Sequence, residues 1–393
     1  MSASANNVSL LLSGESSYAE TPDQTATFLR YPFTGDSVRG VKEVARSETI
    51  TPDRTAGDSL VVNKTADGTT EHEFNLVNFP SLEQATLQGP ELSTTIVSEA
   101  GTYDSTAQTF TATSGTPFSV FTTGWQPRYL RFANSTGNEG VFRVVSITST
   151  VITVAPGSFT VDETSTATIS FRRTGNGNTQ SSYLMEKQWG DINVKHHFTG
   201  MSIVGAGLQI QARQPITISF DWVGSKFTSG FGGTQSASAG DGSPTEPTAA
   251  SILTASNNVA TLLRDGAAIG ACVKSLDITV NNNLRDEACV GQQNSVASPV
   301  NGEFTVEGSM ALLFEDSDLV ETFDAHTTFE LAIPMSDPEG NNEVWVMPRV
   351  TLDELDVPTE GRNTSVIQTF SFSTTKGRVA NSLFQLVIER FPV

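Results

Sequence analysis

The sequence predicts a mainly β protein built from two tandem β-sandwich or β-barrel domains, each with a short helix, plus a small β domain inserted into the first. Three observations carry this prediction. Hydrophobic residues make up 37% and charged residues 17% of the 393-residue chain, while 32 Gly and 17 Pro punctuate many short runs, a profile that disfavours coiled coils and helical bundles. Ser and Thr add about a quarter of the residues, as expected for half-exposed strands and turns. The runs themselves alternate apolar and polar residues with a period of two, and their order in the first part of the chain recurs in the last.

In the first copy, a turn at Asp67-Gly68 precedes a strand, Glu71 to Phe79, and a short helix, Ser81 to Gln88, where Ser81 and Gln84 have capping-box spacing. Two strands, Met201 to Ala212 and Ile216 to Val223, close this copy. In the second, Ile278 to Arg285 leads through a turn at Asn301-Gly302 to a strand, Glu303 to Phe314, and a helix, Ser317 to Phe323. Val344 to Leu355 and Val366 to Ser373 close it. Within Ile216 to Val223, residues Ile216, Ile218, Phe220 and Trp222 share one face, and Thr217, Ser219 and Asp221 the other. Lys274 to Val280 repeats the pattern, with Leu276, Ile278 and Val280 opposite Ser275, Asp277 and Thr279. One face suits a core and one suits water, and the open edges of such sheets call for closure by neighbouring subunits.

Charge divides the chain. Residues 1–100 hold 14 acidic and 6 basic side chains, residues 101–173 hold 4 and 5, residues 174–250 hold 5 and 4, and residues 251–393 hold 20 and 8. The near-neutral block carries strands at Val141 to Ile147, Val151 to Ala155 and Thr166 to Phe171, and reads as a small inserted barrel or sandwich. The expected division is therefore a first domain of residues 1–100 and 174–227, an insert of 101–173, a Gly/Ser-rich linker or loop of 228–250, and a second domain of 251–393.

The net charge of −20 argues against a phosphate-seeking protein, since DNA binding needs Lys and Arg to displace counterions. Met1 to Gly14 has no basic residue and a short apolar cluster, so no secretory leader is expected, and no apolar run approaches the roughly 20 residues of a membrane span. Two cysteines, Cys272 and Cys289, are too few to staple this chain and fit a reducing compartment.

No catalytic or cofactor constellation stands out, and no enzyme, cofactor or metal site is expected. Gly57-Asp58-Ser59-Leu60 matches a serine-hydrolase signature, yet the late histidine, His326, lies in Asp324-Ala325-His326 rather than the Asp-x-x-His that would supply a base. His72, His196, His197 and His326 show no metal-ligand spacing, and the adjacent pair would point to opposite faces of a strand. Glu315-Asp316-Ser317-Asp318 and the Asp337 to Glu343 turn could offer oxygen ligands to calcium, but they lack EF-hand spacing and read more simply as helix-start charge and a wet turn. Carboxylate pairs suited to glycosidase chemistry are too common in so acidic a chain to discriminate. Phosphate-cradling motifs are missing, since Gly205-Ala206-Gly207 has no third glycine.

The order of short motifs resembles the tail tube, or major tail, proteins of bacteriophages with long non-contractile tails. The resemblance rests on Gly14-Glu-Ser-Ser-Tyr18, Leu29-Arg30, Thr34-Gly-Asp-Ser37 and Ser47 to Arg54, continues in Leu184-Met-Glu-Lys187, Phe198-Thr-Gly-Met201 and Ile218-Ser-Phe-Asp-Trp222, and ends in Asn282-Asn-Leu-Arg285, Gly302 to Gly308 and Met347-Pro-Arg-Val350. It implies tail-tube-type domains in rings of sixfold or pseudo-sixfold symmetry that stack into a hollow virion tube, assembled in the host cytoplasm. The implied partners are further copies of the chain, the tape measure, tail terminator and distal tail proteins, and viral DNA in transit without specific binding; no membrane is involved. With two tube domains per chain, trimeric rings are expected, a hexamer being the alternative. The polar faces Thr217, Ser219, Asp221 and Ser275, Asp277, Thr279 are the expected channel lining, and the insert is expected on the outer surface. A Ser/Thr-rich adhesin or carbohydrate-binding surface protein is the rival reading.

Overall fold

In the computed structural model, which describes residues 3–19, 27–49, 57–122, 127–231, 244–285, 290, 299–359, 361–362, 364–379 and 382–393, the alternation read from the sequence becomes sheet. The chain begins with β1 (Val8–Gly14), β2 (Leu29–Tyr31), β3 (Gly35–Asp36), β4 (Arg39–Arg46), β5 (Ser59–Glu73), helix α1 (Pro80–Leu87) and β6 (Glu91–Asp104). It continues through β7 (Thr109–Ala112), helix α2 (Ser119–Thr122), β8 (Tyr129–Ala133), β9 (Gly140–Ile147), β10 (Val151–Val154) and β11 (Glu163–Gly175). Next come β12 (Tyr183–Trp189), β13 (Val194–Gln211), β14 (Thr217–Gly224) and β15 (Lys226–Phe231). The second half supplies β16 (Leu263–Arg264), β17 (Ala267–Ala268), β18 (Val273–Asn281), β19 (Thr305–Leu313), helix α3 (Asp318–Asp324) and β20 (Phe329–Ser336). It closes with β21 (Asn342–Asp356), β22 (Ile367–Thr374), β23 (Gly377–Val379), β24 (Ser382–Phe384) and β25 (Val387–Phe391). The fold is mainly β, as the composition predicts.

Eight antiparallel positions form one continuous sheet in the order β4, β5, β14, β13, β18, β19, β22, β21, with the short β3 in line with β4. The first four and the last four follow one plan: a hairpin, then the two closing strands of that half. Details repeat with the plan. Gly68 of β5 lies opposite Trp222, and Gly308 of β19 lies opposite Phe372. At Gly308 an added Cβ would come within 2.4 Å of the Phe372 ring, so the aromatic occupies the room that a side chain would need. The ladder also slips by one residue at the same step in each half, between Ile203 and Gly205 in β13 and between Leu352 and Glu354 in β21.

Each half lays a helix on the apolar side of this sheet. Leu82, Ala85 and Leu87 of α1 and Leu319 of α3 are buried with Ile218, Phe220, Leu276, Ile278, Phe370 and Phe372 in one large core. The capping box read at Ser81 is not formed. Pro80 starts the helix at its first position, where its fixed φ fits and its missing N–H is no loss, and the Ser81 hydroxyl instead hydrogen-bonds Tyr31 Oη at 2.9 Å.

β13 passes between two sheets. Its residues 194–199 pair with β12 and β15 beside β1 and β2, and its residues 205–211 pair with β14 and β18. The Gly/Ser-rich linker expected over 228–250 therefore starts later than composition suggests, because backbone pairing with β13 holds Lys226–Phe231 as a strand. Residues 232–243 of that stretch, with Ile50 to Arg54 and Cys289, lie outside the described residues.

The hairpin of β6 and β11 grows into a closed barrel. Its six strands run β6, β7, β10, β9, β8, β11 and return to β6. Tyr103, Phe110, Phe132 and Phe159 fill it with edge-on aromatic contacts, Tyr103 meeting Phe159 at 5.0 Å between centroids and 85° between planes. This core is shared with the second half through Ala332, Val344, Val346 and Phe391. β25 seals the junction by pairing with both β11 and β21.

Candidate functional site: a carboxylate-lined sheet face

The six polar residues singled out from the sequence fall on one face of the eight-stranded sheet, because β14 and β18 both flank β13 in matching register. One cross-strand row reads Glu73, Thr217, Gln209, Asp277, Ser309, Ser371, Glu354. The next reads Gly35, Glu71, Ser219, Gly207, Thr279, Glu307, Ser373, Thr351 and spans all eight positions. A third holds Thr69, Asp221, Gly205, Asn281 and Thr305, and Ser275 sits beside Gln211 below the first. No lysine or arginine occupies any position of these three rows.

The face is polar yet held in place. Thr69 donates its hydroxyl to Asp221 at 2.5 Å. Asp277 is partly buried, and that burial raises its carboxyl above the usual range against a lowering hydrogen bond from Ser309. Gly205 and Gly207 leave the middle of the face without side chains, since a Cβ at 205 would meet the Val280 carbonyl at 2.6 Å. Beneath it lie Ile218, Phe220, Trp222, Leu276, Ile278 and Val280, all nearly inaccessible to solvent.

The sequence reading missed Glu71, Glu73, Glu307 and Glu354, although the signal was available. Glu71 and Glu73 alternate with His72 and Phe74, and Glu307 alternates with Val306 and Gly308, so the same period that revealed Asp221 places them on the polar face.

The other candidate chemistries resolve into structural roles. Ser59 opens β5 opposite Arg46, and both are exposed, with the signature glycine, Gly57, packed against the Ser47 backbone. His72 is buried and pulled down to about 4 by desolvation, so its ring is neutral. It lies in a chain in which Trp222 Nε1 donates to the Thr70 hydroxyl, Thr70 meets His72 Nε2, and His72 Nδ1 donates to the Pro32 carbonyl. His196 packs between Trp189 and Phe227, while His197 pairs with buried Glu186. The acidic runs are used locally: Asp318 pairs with Arg264 at 2.8 Å, and Asp337 accepts both the backbone and side-chain N–H groups of Asn341 at 2.7 Å. No cluster of three or more metal-ligating side chains occurs among the described residues.

Two buried ionic groups fasten the halves together. Arg390 Nε on β25 lies 3.1 Å from Glu83 on α1 and 3.2 Å from Glu343 on β21, and Trp345 Nε1 donates to Glu343 at 2.7 Å. Burial, aided by the Glu83 charge, pushes the Glu343 carboxyl up despite Arg390. Glu389, on the other side of the same strand, is pushed up to about 7 by burial while accepting the backbone N–H groups of Arg128 and Tyr129 at 3.0 and 2.8 Å. Arg128 and Arg143 of the barrel also reach Glu330 of β20, at 3.0 and 3.7 Å.

The two halves thus share one sheet plan, with a polar, carboxylate-bearing face opposite an apolar one. The chain belongs to the phage tail tube protein family, whose model matches residues 5–374. It is thus a structural component of a virion tail. No curated protein matches the chain.

Proposed function

We propose that this chain assembles with copies of itself into rings that stack into the tube of a long non-contractile tail, and that the carboxylate face lines the channel through which DNA is ejected. The observation that carries this reading is the run of carboxylates, free of lysine and arginine, across a sheet whose opposite face is apolar. Phosphates over these rows meet carboxylates, and Arg39, which flanks the rows on the same face, is already paired with Asp67, so DNA slides without being held. Thr217, Ser219, Asp221, Ser275, Asp277 and Thr279 line the bore, together with Glu71, Glu73, Glu307 and Glu354.

Trimeric rings with pseudo-sixfold symmetry follow from two tube domains per chain: residues 1–100 with 174–227, and residues 251–393. Eight strands closed on themselves leave room only for side chains, whereas three such sets leave an aqueous bore. The barrel of residues 101–173 sits on the outside, supported by its attachment through β20, β21 and β25 to the helix-side core, and the linker between the two domains follows β15, after Phe231. The tape measure fills the tube before ejection, the terminator and distal tail proteins cap its ends, and assembly takes place in the host cytoplasm. Electron microscopy of the purified protein tests the reading: tubes with three chains per ring are expected, and particles that stay monomeric under all assembly conditions overturn it.

A further inference from the structure

Two strand edges of the main sheet bear no ladder among the described residues. β4 is hydrogen-bonded to β5 alone, and residues 351–356 of β21 are paired to β22 alone, because β20 and β25 pair with the earlier part of that strand. Arg39 on the first edge is 72% exposed, and Glu354 and Asp356 on the second are also exposed. An open edge is a template for another strand. Inside the chain, the matching edges are already joined: β13, which closes the first half, pairs with β18, which opens the second.

We infer that residues 354–356 of one copy, the counterparts of residues 205–207, pair antiparallel with residues 39–41 of β4 of the next copy in the register that β13 and β18 use within the chain. This rests on the ring reading above and assigns its joint. The register follows from the repeat. Matching Gly68 with Gly308 makes Arg39, opposite Asp67, the counterpart of Thr279, opposite Glu307. Matching Trp222 with Phe372 makes Asp356, opposite Thr369, the counterpart of Gly207, opposite Ser219. Gly207 faces Thr279 within the chain, so Asp356 faces Arg39 of the next copy.

Chemistry at the transferred positions agrees. Where the internal joint sets a glycine against a threonine, the external one sets a carboxylate against a guanidinium, on the polar face and already oriented by the 2.9 Å bond from Arg39 to Asp67. On the apolar side the same register puts Val357 against Val38 and Leu355 against Gly40. A Cβ at Gly40 would lie 2.5 Å from the Phe227 ring, so that side of Gly40 is already filled by an aromatic that Leu355 can meet. Because each copy offers one edge of each kind, the contact is heterologous and closes a ring when the rotation permits. Three chains then hold six equivalent joints, three internal and three external.

Disulfide trapping tests the register, since directly opposed strand residues lie within the Cα spacing a disulfide requires. In a Cys272→Ser, Cys289→Ser background, chains carrying Arg39→Cys are mixed with chains carrying Asp356→Cys, assembled and oxidised. Covalent dimers are expected from the mixture and from neither chain alone. Tubes that form from the mixture yet run as monomers overturn the pairing and leave the ring reading intact; a wild-type chain that never associates overturns both. A charge exchange gives an independent readout. Arg39→Asp and Asp356→Arg should each lower assembly by about tenfold or more, and the double variant should recover it; a double variant no better than the singles overturns the pairing.

Discussion

The two halves share a sheet plan down to the position of a register slip, but they differ in everything attached to it. At the tip of the β20–β21 hairpin the second half makes a short turn held by Asp337 and Asn341, whereas the matching β6–β11 hairpin of the first half opens into a six-stranded aromatic barrel. The β4–β5 hairpin projects with Val44, Leu60 and Val62 exposed, while the β18–β19 hairpin is tied back by Asn282, whose amide donates to the carbonyls of Thr86 and Ile203 at 3.0 and 3.1 Å. Sheet faces and helix seats are thus held fixed by packing, and connections are free to vary. The halves are nevertheless not independent, because their buried carboxylates converge on one strand.

That last point can be broken most severely at Arg390. Replacing it by Met leaves Glu83 and Glu343 buried without a cation, and a loss of about 3–5 kcal/mol in denaturant unfolding is expected. Adding Glu343→Gln to that variant should return part of the loss; a single variant as stable as the wild type would show the halves to be held by apolar packing alone.

Acidity probes the same junction. The folded-state value of Glu389 lies above that of the unfolded chain, so the folded form binds the extra proton and stability falls as pH rises from about 4.5 through about 7. The contribution is up to about 3 kcal/mol over that window, and Glu389→Gln should flatten the fall when unfolding is followed against pH.

The repeat itself predicts that Gly308→Ala and Gly68→Ala destabilise by about 1–3 kcal/mol each, through overpacking in both. At Gly308 the alanine meets Phe372. At Gly68, where φ is +144°, it meets the Val38 backbone at 2.5 Å in a conformation that disfavours a side chain. Equal midpoints for wild type and either variant would contradict the tight packing shared by the two sites.

The smallest effect on folding is expected on the polar face. Asp221→Lys with Asp277→Lys should leave tubes intact and change stability by no more than about 1 kcal/mol in total, while DNA ejection slows; ejection at the normal rate would remove these positions from the bore.

Much of this fold was legible because burial alternates along β14 and β18 as their residues do: Ile218, Phe220, Leu276 and Ile278 could be assigned to a core without coordinates. That Thr217, Ser219 and Asp221 share one strand face, and Ser275, Asp277 and Thr279 another, was legible for the same reason. What the sequence did not disclose was adjacency. Nothing local says that β13 separates β14 from β18, so the row joining Thr217 to Asp277 through Gln209 could be found only in the paired sheet. The helix start was misread because Ser81 has a capping residue's chemistry but a tertiary partner in Tyr31. Strand β15 was hidden in Gly-rich composition, since its pairing with β13 is a backbone property.

β25 follows every other described strand in chain order, and it joins three parts of the molecule: the barrel stem at β11, the second half at β21 and, through Arg390, helix α1 of the first half. Without it Glu83 and Glu343 would lose their shared counter-charge and the aromatic core would lack Phe391, so one five-residue strand latches three parts of the subunit.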